Sequence, residues 1–75
     1  MYVVAFRKET DRLTSMFNTT FSSRKEAKNF IEEDSLFYCS KHHNAMPLGW
    51  IKPKTLDYMA VDDNGKYVYW QYFEV

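Results

Sequence analysis

The residues best suited to chemistry lie in one short segment, where a thiol is followed by two imidazoles. Cys39 precedes His42 and His43, and such side chains can ligate Zn²⁺ or form a cysteine nucleophile with its base. Structural zinc sites usually have a second pair of ligands, and this sequence contains no further Cys-x-x-Cys or His-x-x-x-His element. No residue that would orient a Cys–His nucleophile is evident. We therefore expect a packed Cys39 and surface histidines, with no metal site and no catalytic residue.

Other catalytic patterns are missing as well. With 2 glycines in 75 residues, the chain cannot build the glycine-rich loops that cradle phosphates. Adjacent carboxylates occur at 32–33 and 62–63, but sequence neighbours point apart in both helices and strands. We expect a protein that binds rather than catalyses, with no cofactor.

Size and composition describe one small domain spanning residues 1–75. The chain balances 10 Lys and Arg against 10 Asp and Glu, and it contains six Tyr, six Phe and two Trp. A chain this short hides only roughly 60 to 65% of its unfolded surface, so its core needs large side chains or a partner. The single cysteine favours a reducing compartment, and we expect a cytoplasmic protein. No segment approaches the roughly 20 apolar residues that cross a bilayer, so no membrane partner is expected.

The pattern along the chain predicts an α+β fold, in the order strand, strand, helix, strand, strand. Aromatic and β-branched residues at 2–6, followed by alternation at 13–21, predict a first hairpin. Residues 57–62 and 66–73 predict a second hairpin around Asn64 and Gly65, the preferred pair for a two-residue type I′ turn. The result is a small antiparallel sheet with one helix packed on one face.

The helix is predicted to begin at a capping box formed by Ser23 and Glu26. Its buried stripe is expected at Ala27, Phe30 and Ile31. We expect it to end near Asp34, because a continued stripe would place this carboxylate on the apolar face. Residues 36–39 are then a separate short element.

The segment at about 40–56 is interpreted as a long loop. Periodicity is lost there, and Pro47, Gly49 and Pro53 interrupt it. Loops of this length in compact domains are usually functional or mobile. This loop contains Trp50, an apolar side chain that the fold or a partner must cover.

The predicted type I′ turn sets which side chains share a face of the second hairpin. The face towards the helix is expected to consist of Met59, Val61, Val68 and Trp70, with Met59 opposite Trp70. The outer face is expected to carry Tyr58, Ala60, Tyr67, Tyr69 and Gln71, together with Phe73. The tyrosines on that face are suited to a protein interface, since Tyr joins an apolar ring to a hydroxyl that tolerates water. Coverage of the same face by the long loop is the alternative.

Charges on the predicted helix run against its macrodipole, because cations crowd its start and carboxylates crowd its end at 32–34. A solvated helix face is the simple explanation. The alternative is a site for an anion or nucleic acid, formed by Arg24, Lys25 and Lys28 with Lys52 and Lys54 of the loop.

Two classes of binding function follow. The first is a protein-binding module that uses Trp50, Tyr58, Tyr67 and Tyr69 as anchors and Asp62 and Asp63 as charged contacts. The second is nucleic-acid binding, in which sheet aromatics stack on bases and the basic residues contact phosphates. Zero net charge argues against the second. Homodimerisation through the tyrosine face is compatible with either.

The layout also resembles that of small phage-encoded anti-defence proteins, including some anti-CRISPR inhibitors. The resemblance rests on the order of four segments, YVVAFRK, SSRKEAKNFIEED, LFYCSK and YMAVDDNGKYVYW. It implies a protein that binds and blocks a host protein, often within a nucleoprotein complex. It transfers no functional residue to this chain.

Overall fold

A computed structural model describes residues 1–9, 15–51 and 57–75 of the chain. The elements in these residues are β1 (Tyr2–Lys8), β2 (Ser15–Phe21), α1 (Arg24–Lys41), β3 (Met46–Trp50), β4 (Asp57–Val61) and β5 (Tyr67–Glu74). The strands form one antiparallel sheet in the order β2-β1-β5-β4-β3, and α1 packs against all five. The predicted α+β class, with one helix on one face of a small antiparallel sheet, is confirmed.

The core lies between α1 and the sheet and is centred on Trp70 of β5. Trp70 is 0% exposed, and its indole packs against the rings of Phe6, Tyr38 and Tyr58. Burial of a large apolar side chain contributes about 1.5–3 kcal/mol, so a few aromatic residues can stabilise a short chain. The buried cluster comprises Val4, Ala27, Ile31, Tyr58, Ala60, Val68, Trp70 and Tyr72.

The N-terminal hairpin forms as predicted, with β1 antiparallel to β2. Phe17 and Phe21 of β2 each pack against Phe30 of α1, with ring centroids 5.0 Å apart. The pairing shifts between Val3 and Ala5, so β2 bulges at this point. The first two residues of the predicted strand, 13–14, lie outside the described residues.

The start of α1 agrees with the predicted capping box in one of its two contacts. Ser23 is the N-cap, and its Oγ accepts a hydrogen bond from the N–H of Glu26 at 3.2 Å. The Glu26 carboxylate bonds one residue earlier than expected, to the N–H and Oγ of Ser22 at 3.2 and 2.9 Å. The chain before the helix is therefore held by side-chain contacts at two successive residues.

The helix is longer than predicted, because it continues past Asp34 to Lys41. Asp34 has a partner on the side that faces the sheet: its Oδ2 accepts a hydrogen bond from Nε1 of Trp70 at 2.8 Å. The next residue, Ser35, is fully buried and donates to the carbonyl oxygen of Glu32 at 2.8 Å. Within the described residues no buried side-chain polar atom lacks a hydrogen-bond partner, and residues 36–39 belong to α1.

Part of the expected loop at 40–56 is a strand. Residues 46–50 form β3 at the edge of the sheet, with Trp50 opposite Tyr58 of β4. Pro47 and Gly49 interrupt the alternation of side chains by which a strand is recognised in a sequence, and the pairing with β4 shifts between these two residues. Proline is tolerated on an edge strand, where its missing N–H costs no ladder bond. Residues 52–56 lie outside the described residues.

The register of the C-terminal hairpin differs from the predicted one by a single residue. Tyr58 lies opposite Trp70, where the type I′ turn would have placed Met59. Because side chains alternate along a strand, this shift exchanges the two faces of β4. Tyr58 and Ala60 face the helix, and Met59 and Val61 face away from it.

The carboxylate of Asp62 accounts for the shift in register. Its Oδ1 accepts hydrogen bonds from the N–H groups of Asn64 and Lys66 at 2.9 and 2.8 Å. The N–H of Asp62 also donates to the carbonyl oxygen of Lys66 at 2.7 Å. These contacts close a three-residue turn in which Gly65 alone has a positive φ, of 78°. A type I turn followed by a left-handed glycine is a common three-residue hairpin, and here it replaces the type I′ turn.

Replacement of Asp34 tests the contact with the buried indole. Asp34→Ala leaves the N–H of Trp70 unpaired in the core, which should lower the free energy of unfolding by about 1–3 kcal/mol. Asp34→Asn keeps a side-chain oxygen and should lose less. Glu33→Ala removes an exposed carboxylate at the preceding position and serves as the control. Chemical denaturation measures all three, and equal stability of Asp34→Ala and Glu33→Ala would show that the contact is unimportant.

Candidate functional site

The candidate site is the face of the sheet that α1 does not cover, here called the open sheet face. Side chains alternate along each strand, so the residues between the buried ones lie on this face. No described element packs over it, because the single helix lies on the other side. The open sheet face includes Val3, Arg7, Met16, Met46, Asp57, Met59, Val61, Tyr67, Tyr69, Gln71 and Phe73, all exposed or half-buried, together with the small, buried Ala5.

A row of three side chains crosses the middle of this face. Arg7 of β1 lies opposite Tyr69 of β5, which lies opposite Met59 of β4. The Arg7 guanidinium carbon is 4.7 Å from the centroid of the Tyr69 ring, within range of a cation–π interaction. Tyr67 and Phe73 lie on β5 to either side of this row and are 41% and 40% exposed. The row thus presents an aromatic ring flanked by a flexible thioether and one cation.

The next row is polar at its centre. Gln71 of β5 lies opposite Asp57 of β4, and its Nε2 donates to Asp57 Oδ1 at 2.6 Å. The hydrogen bond orients the carboxylate on the open sheet face, one strand away from β5. Arg7 is placed one strand away on the other side, on β1. The face therefore carries one guanidinium and one carboxylate on opposite sides of its central strand.

The predicted anchors divide between the two sides of the sheet. Tyr67 and Tyr69 lie on the outer face as expected. The expected position of Tyr58 on that face is wrong, since the shifted register places it in the core with 8% exposure. Met59 and Val61, which were expected against the helix, occupy the open sheet face instead.

Trp50 lies on the helix side and is half-buried. Its Nε1 donates to Oε1 of Glu32 at 3.1 Å, and its ring packs edge-on against Tyr58 and Tyr72. The Nζ of Lys28 is 5.1 Å from the centroid of the same ring. These contacts give Trp50 a role in packing β3 against α1, away from the tyrosines of the open sheet face.

The two aspartates proposed as charged contacts belong to the β4–β5 turn. The N–H of Lys66 holds the pKa of the Asp62 carboxyl below its usual range, and the N–H of Asn64 acts in the same direction. Asp63 Oδ2 lies 3.9 Å from Nδ1 of His42, next to the end of α1. Asp62 therefore stabilises the turn directly, and Asp63 approaches the helix.

The predicted basic site is on the helix side of the sheet. Arg24, Lys25 and Lys28 line a shallow depression with Asn29 and Glu32, with a volume of about 470 Å³. The other two predicted cations, at 52 and 54, lie outside the described residues. Because α1 ends at Lys41, the carboxylates at 32–34 lie in its middle and not at its end.

The thiol of Cys39 and the imidazoles of His42 and His43 do not come together at one site. Cys39 is half-buried in α1, and burial raises the pKa of its thiol. The ring of His42 stacks on that of Tyr38 with centroids 4.1 Å apart. Within residues 1–9, 15–51 and 57–75, no group of three potential metal-binding side chains comes together.

Sequence reasoning missed several residues of the open sheet face, among them Arg7, Asp57, Met59 and Val61. Recognising Asp62 as the residue that closes a three-residue turn would have placed Met59 and Val61 correctly. Arg7 would have followed from the alternation of β1, once Val4 was placed in the core.

Comparison with known proteins gave no match: no family model, no curated protein and no solved structure matches this chain. In the described part of the chain, no helix is both long enough and apolar enough to cross a membrane.

The lowered pKa of Asp62 predicts a pH dependence of stability. A carboxylate with a lower pKa in the folded state stabilises the fold above its unfolded pKa, and this contribution is lost as the pH falls through the folded value. The free energy of unfolding should therefore decrease below about pH 4. Asp62→Asn should reduce this dependence, whereas Asp63→Asn should retain it. Denaturation curves across an acidic pH series test this, and identical slopes for wild type and Asp62→Asn would contradict it.

Proposed function

We propose that this protein is a non-enzymatic protein-binding module whose docking surface is the open sheet face. The proposal rests on one observation: in the described part of the chain the five-stranded sheet has one helix, and the face away from that helix carries Tyr67, Tyr69, Phe73 and Met59. Tyrosine and methionine are enriched at the centres of protein interfaces, where aromatic anchors contribute most of the binding energy.

A protein partner fits this face better than nucleic acid does. A stacking mechanism needs aromatic platforms beside cations that contact phosphates. Here Tyr67 and Tyr69 lie on the open sheet face, whereas Arg24, Lys25 and Lys28 line the depression on the helix side. Of the residues that form the open sheet face, Arg7 is the one cation. One phosphate contact provides little affinity at physiological salt.

More specifically, we propose that this binding module is an inhibitor that acts in the cytoplasm by occluding a host protein. This proposal rests on the layout that resembles phage-encoded anti-defence proteins and on the form of the face. A broad sheet surface blocks by covering a region of its target, which requires neither a catalytic group nor a cofactor. The host target is then a defence protein or a protein that processes nucleic acid.

Capture from host lysate by the tagged protein tests the proposal. Nuclease-treated and untreated lysates should yield the same stoichiometric protein partner. With that partner purified, Tyr67→Ala should weaken binding by roughly tenfold, because it removes an exposed aromatic anchor.

Phe37→Ala provides the matched control. Phe37 is 58% exposed on α1, so the variant removes an exposed aromatic ring from the opposite side of the molecule and should bind normally. Loss of recovery after nuclease treatment would favour nucleic acid. Equal weakening by Tyr67→Ala and Phe37→Ala would exclude the open sheet face as the docking surface.

A further inference from the structure

We propose that in the free protein a second copy of this chain covers the open sheet face, forming a two-fold sandwich in which Arg7 of each copy pairs with Asp57 of the other. The inference deepens the proposed function, on which it rests, by naming the first occupant of the same surface. A heterologous partner would then displace the second copy, because both use one face.

The positions of the two charges on the sheet support self-association. Arg7 lies on β1 and Asp57 on β4, and the central strand β5 lies between them. Arg7 is level with Tyr69, and Asp57 is level with Gln71, two residues further along β5. The two charges are thus one strand to either side of β5 and one row apart.

A two-fold axis parallel to β5 makes these charges complementary. Rotation about this axis stacks β5 on the β5 of the second copy and exchanges the positions of β1 and β4. Arg7 then lies above β4 of the other copy, over Met59 and one row from Asp57. Stacked sheets are about 10 Å apart and one row along a strand is about 7 Å, so the two Cα atoms would be about 12 Å apart, a distance that an extended arginine and an aspartate can bridge together. The symmetry makes the contact twice.

The groups that already touch these charges are compatible with the pairing. The Arg7 guanidinium lies over the ring of Tyr69, a position that holds the side chain above the face. Asp57 accepts one hydrogen bond from Gln71 through Oδ1. An ionised carboxylate has about four acceptor positions, so it can also accept the guanidinium.

Association through the sheet edges is less favourable. The edge strands are β2 and β3, and each shows a shift in pairing with its neighbour. β3 also contains Pro47, which cannot donate a hydrogen bond to an added strand. Bulges and proline are devices that prevent edge-to-edge pairing. The face is therefore the better surface for a second copy.

The size of the face predicts a dimer of modest affinity. Five strands at a spacing of about 4.8 Å make a sheet about 20 Å wide, and its longest strands extend about 25 Å. This footprint is below the roughly 800 Å² per partner of a standard interface. The formal net charge of zero means that no overall repulsion opposes association. We expect dissociation in the micromolar range, which leaves the face accessible to a tighter partner.

Sedimentation velocity over a micromolar concentration series provides the test. Wild type should shift from monomer to dimer, with no larger species. Arg7→Asp and Asp57→Arg should each weaken the dimer by roughly tenfold or more, because each places like charges together at two symmetric contacts. The double variant, Arg7→Asp with Asp57→Arg, reverses both charges and should restore association. Lys25→Asp reverses a charge on the helix side and should have no effect.

Rescue by the double variant keeps the test valid if one single variant is poorly folded, and circular dichroism of each variant checks the fold. Weakening of the wild-type dimer by added salt is a further expected result that needs no substitution. A chain that stays monomeric throughout, or a dimer that both single variants leave unchanged, would overturn the inference. A monomer that still captures a partner through Tyr67 would leave the proposed function standing. A dimer for which no heterologous partner is captured would support the self-association proposed here and contradict the proposed function.

Discussion

The fold depends on the hydrogen bond between the buried indole of Trp70 and the carboxylate of Asp34. Trp70 lies on the central strand and fills the space between helix and sheet, but its N–H needs an acceptor there. Asp34 provides it at 2.8 Å. This directional contact joins the middle of α1 to the central strand β5. Glu32, half a turn earlier, makes a similar contact with Trp50 of the edge strand. Two carboxylates thus join the helix to the sheet at separate strands.

Two aspartates also explain where sequence reasoning failed. Asp34 indicated the end of a helix, because a carboxylate on an apolar face is costly without a partner. The sequence pattern assigned Asp62 to the strand before a type I′ turn and to a charged contact with a partner, and did not reveal that it closes the turn. Each carboxylate accepts hydrogen bonds from donors that no periodicity reveals: an indole on a distant strand for Asp34, and two backbone N–H groups for Asp62. The first extends the helix to Lys41, and the second shifts the register of β4.

Features set by local chemistry were predictable. The N-cap at Ser23 follows from its hydroxyl and the position of Glu26, and the first hairpin follows from alternation. The α+β class required only these elements and a second hairpin, whatever its register. Residues 46–50 were missed because an edge strand tolerates Pro47 and a shifted pairing, so it does not show a regular pattern. Tyr67 and Tyr69 were placed correctly because the shift in register exchanged the faces of β4 and not those of β5.

The distribution of aromatic side chains links the fold to its function. One helix can cover only one face of a five-stranded sheet, and the aromatic residues on that side serve the core around Trp70. Those on the other side serve no described packing contact with α1, although their exposure to water is costly. A chain of 75 residues has no second helix within its described part to cover them. Within the described residues no other element covers these side chains, and the two charges on that face, Arg7 and Asp57, restrict which surfaces would complement it.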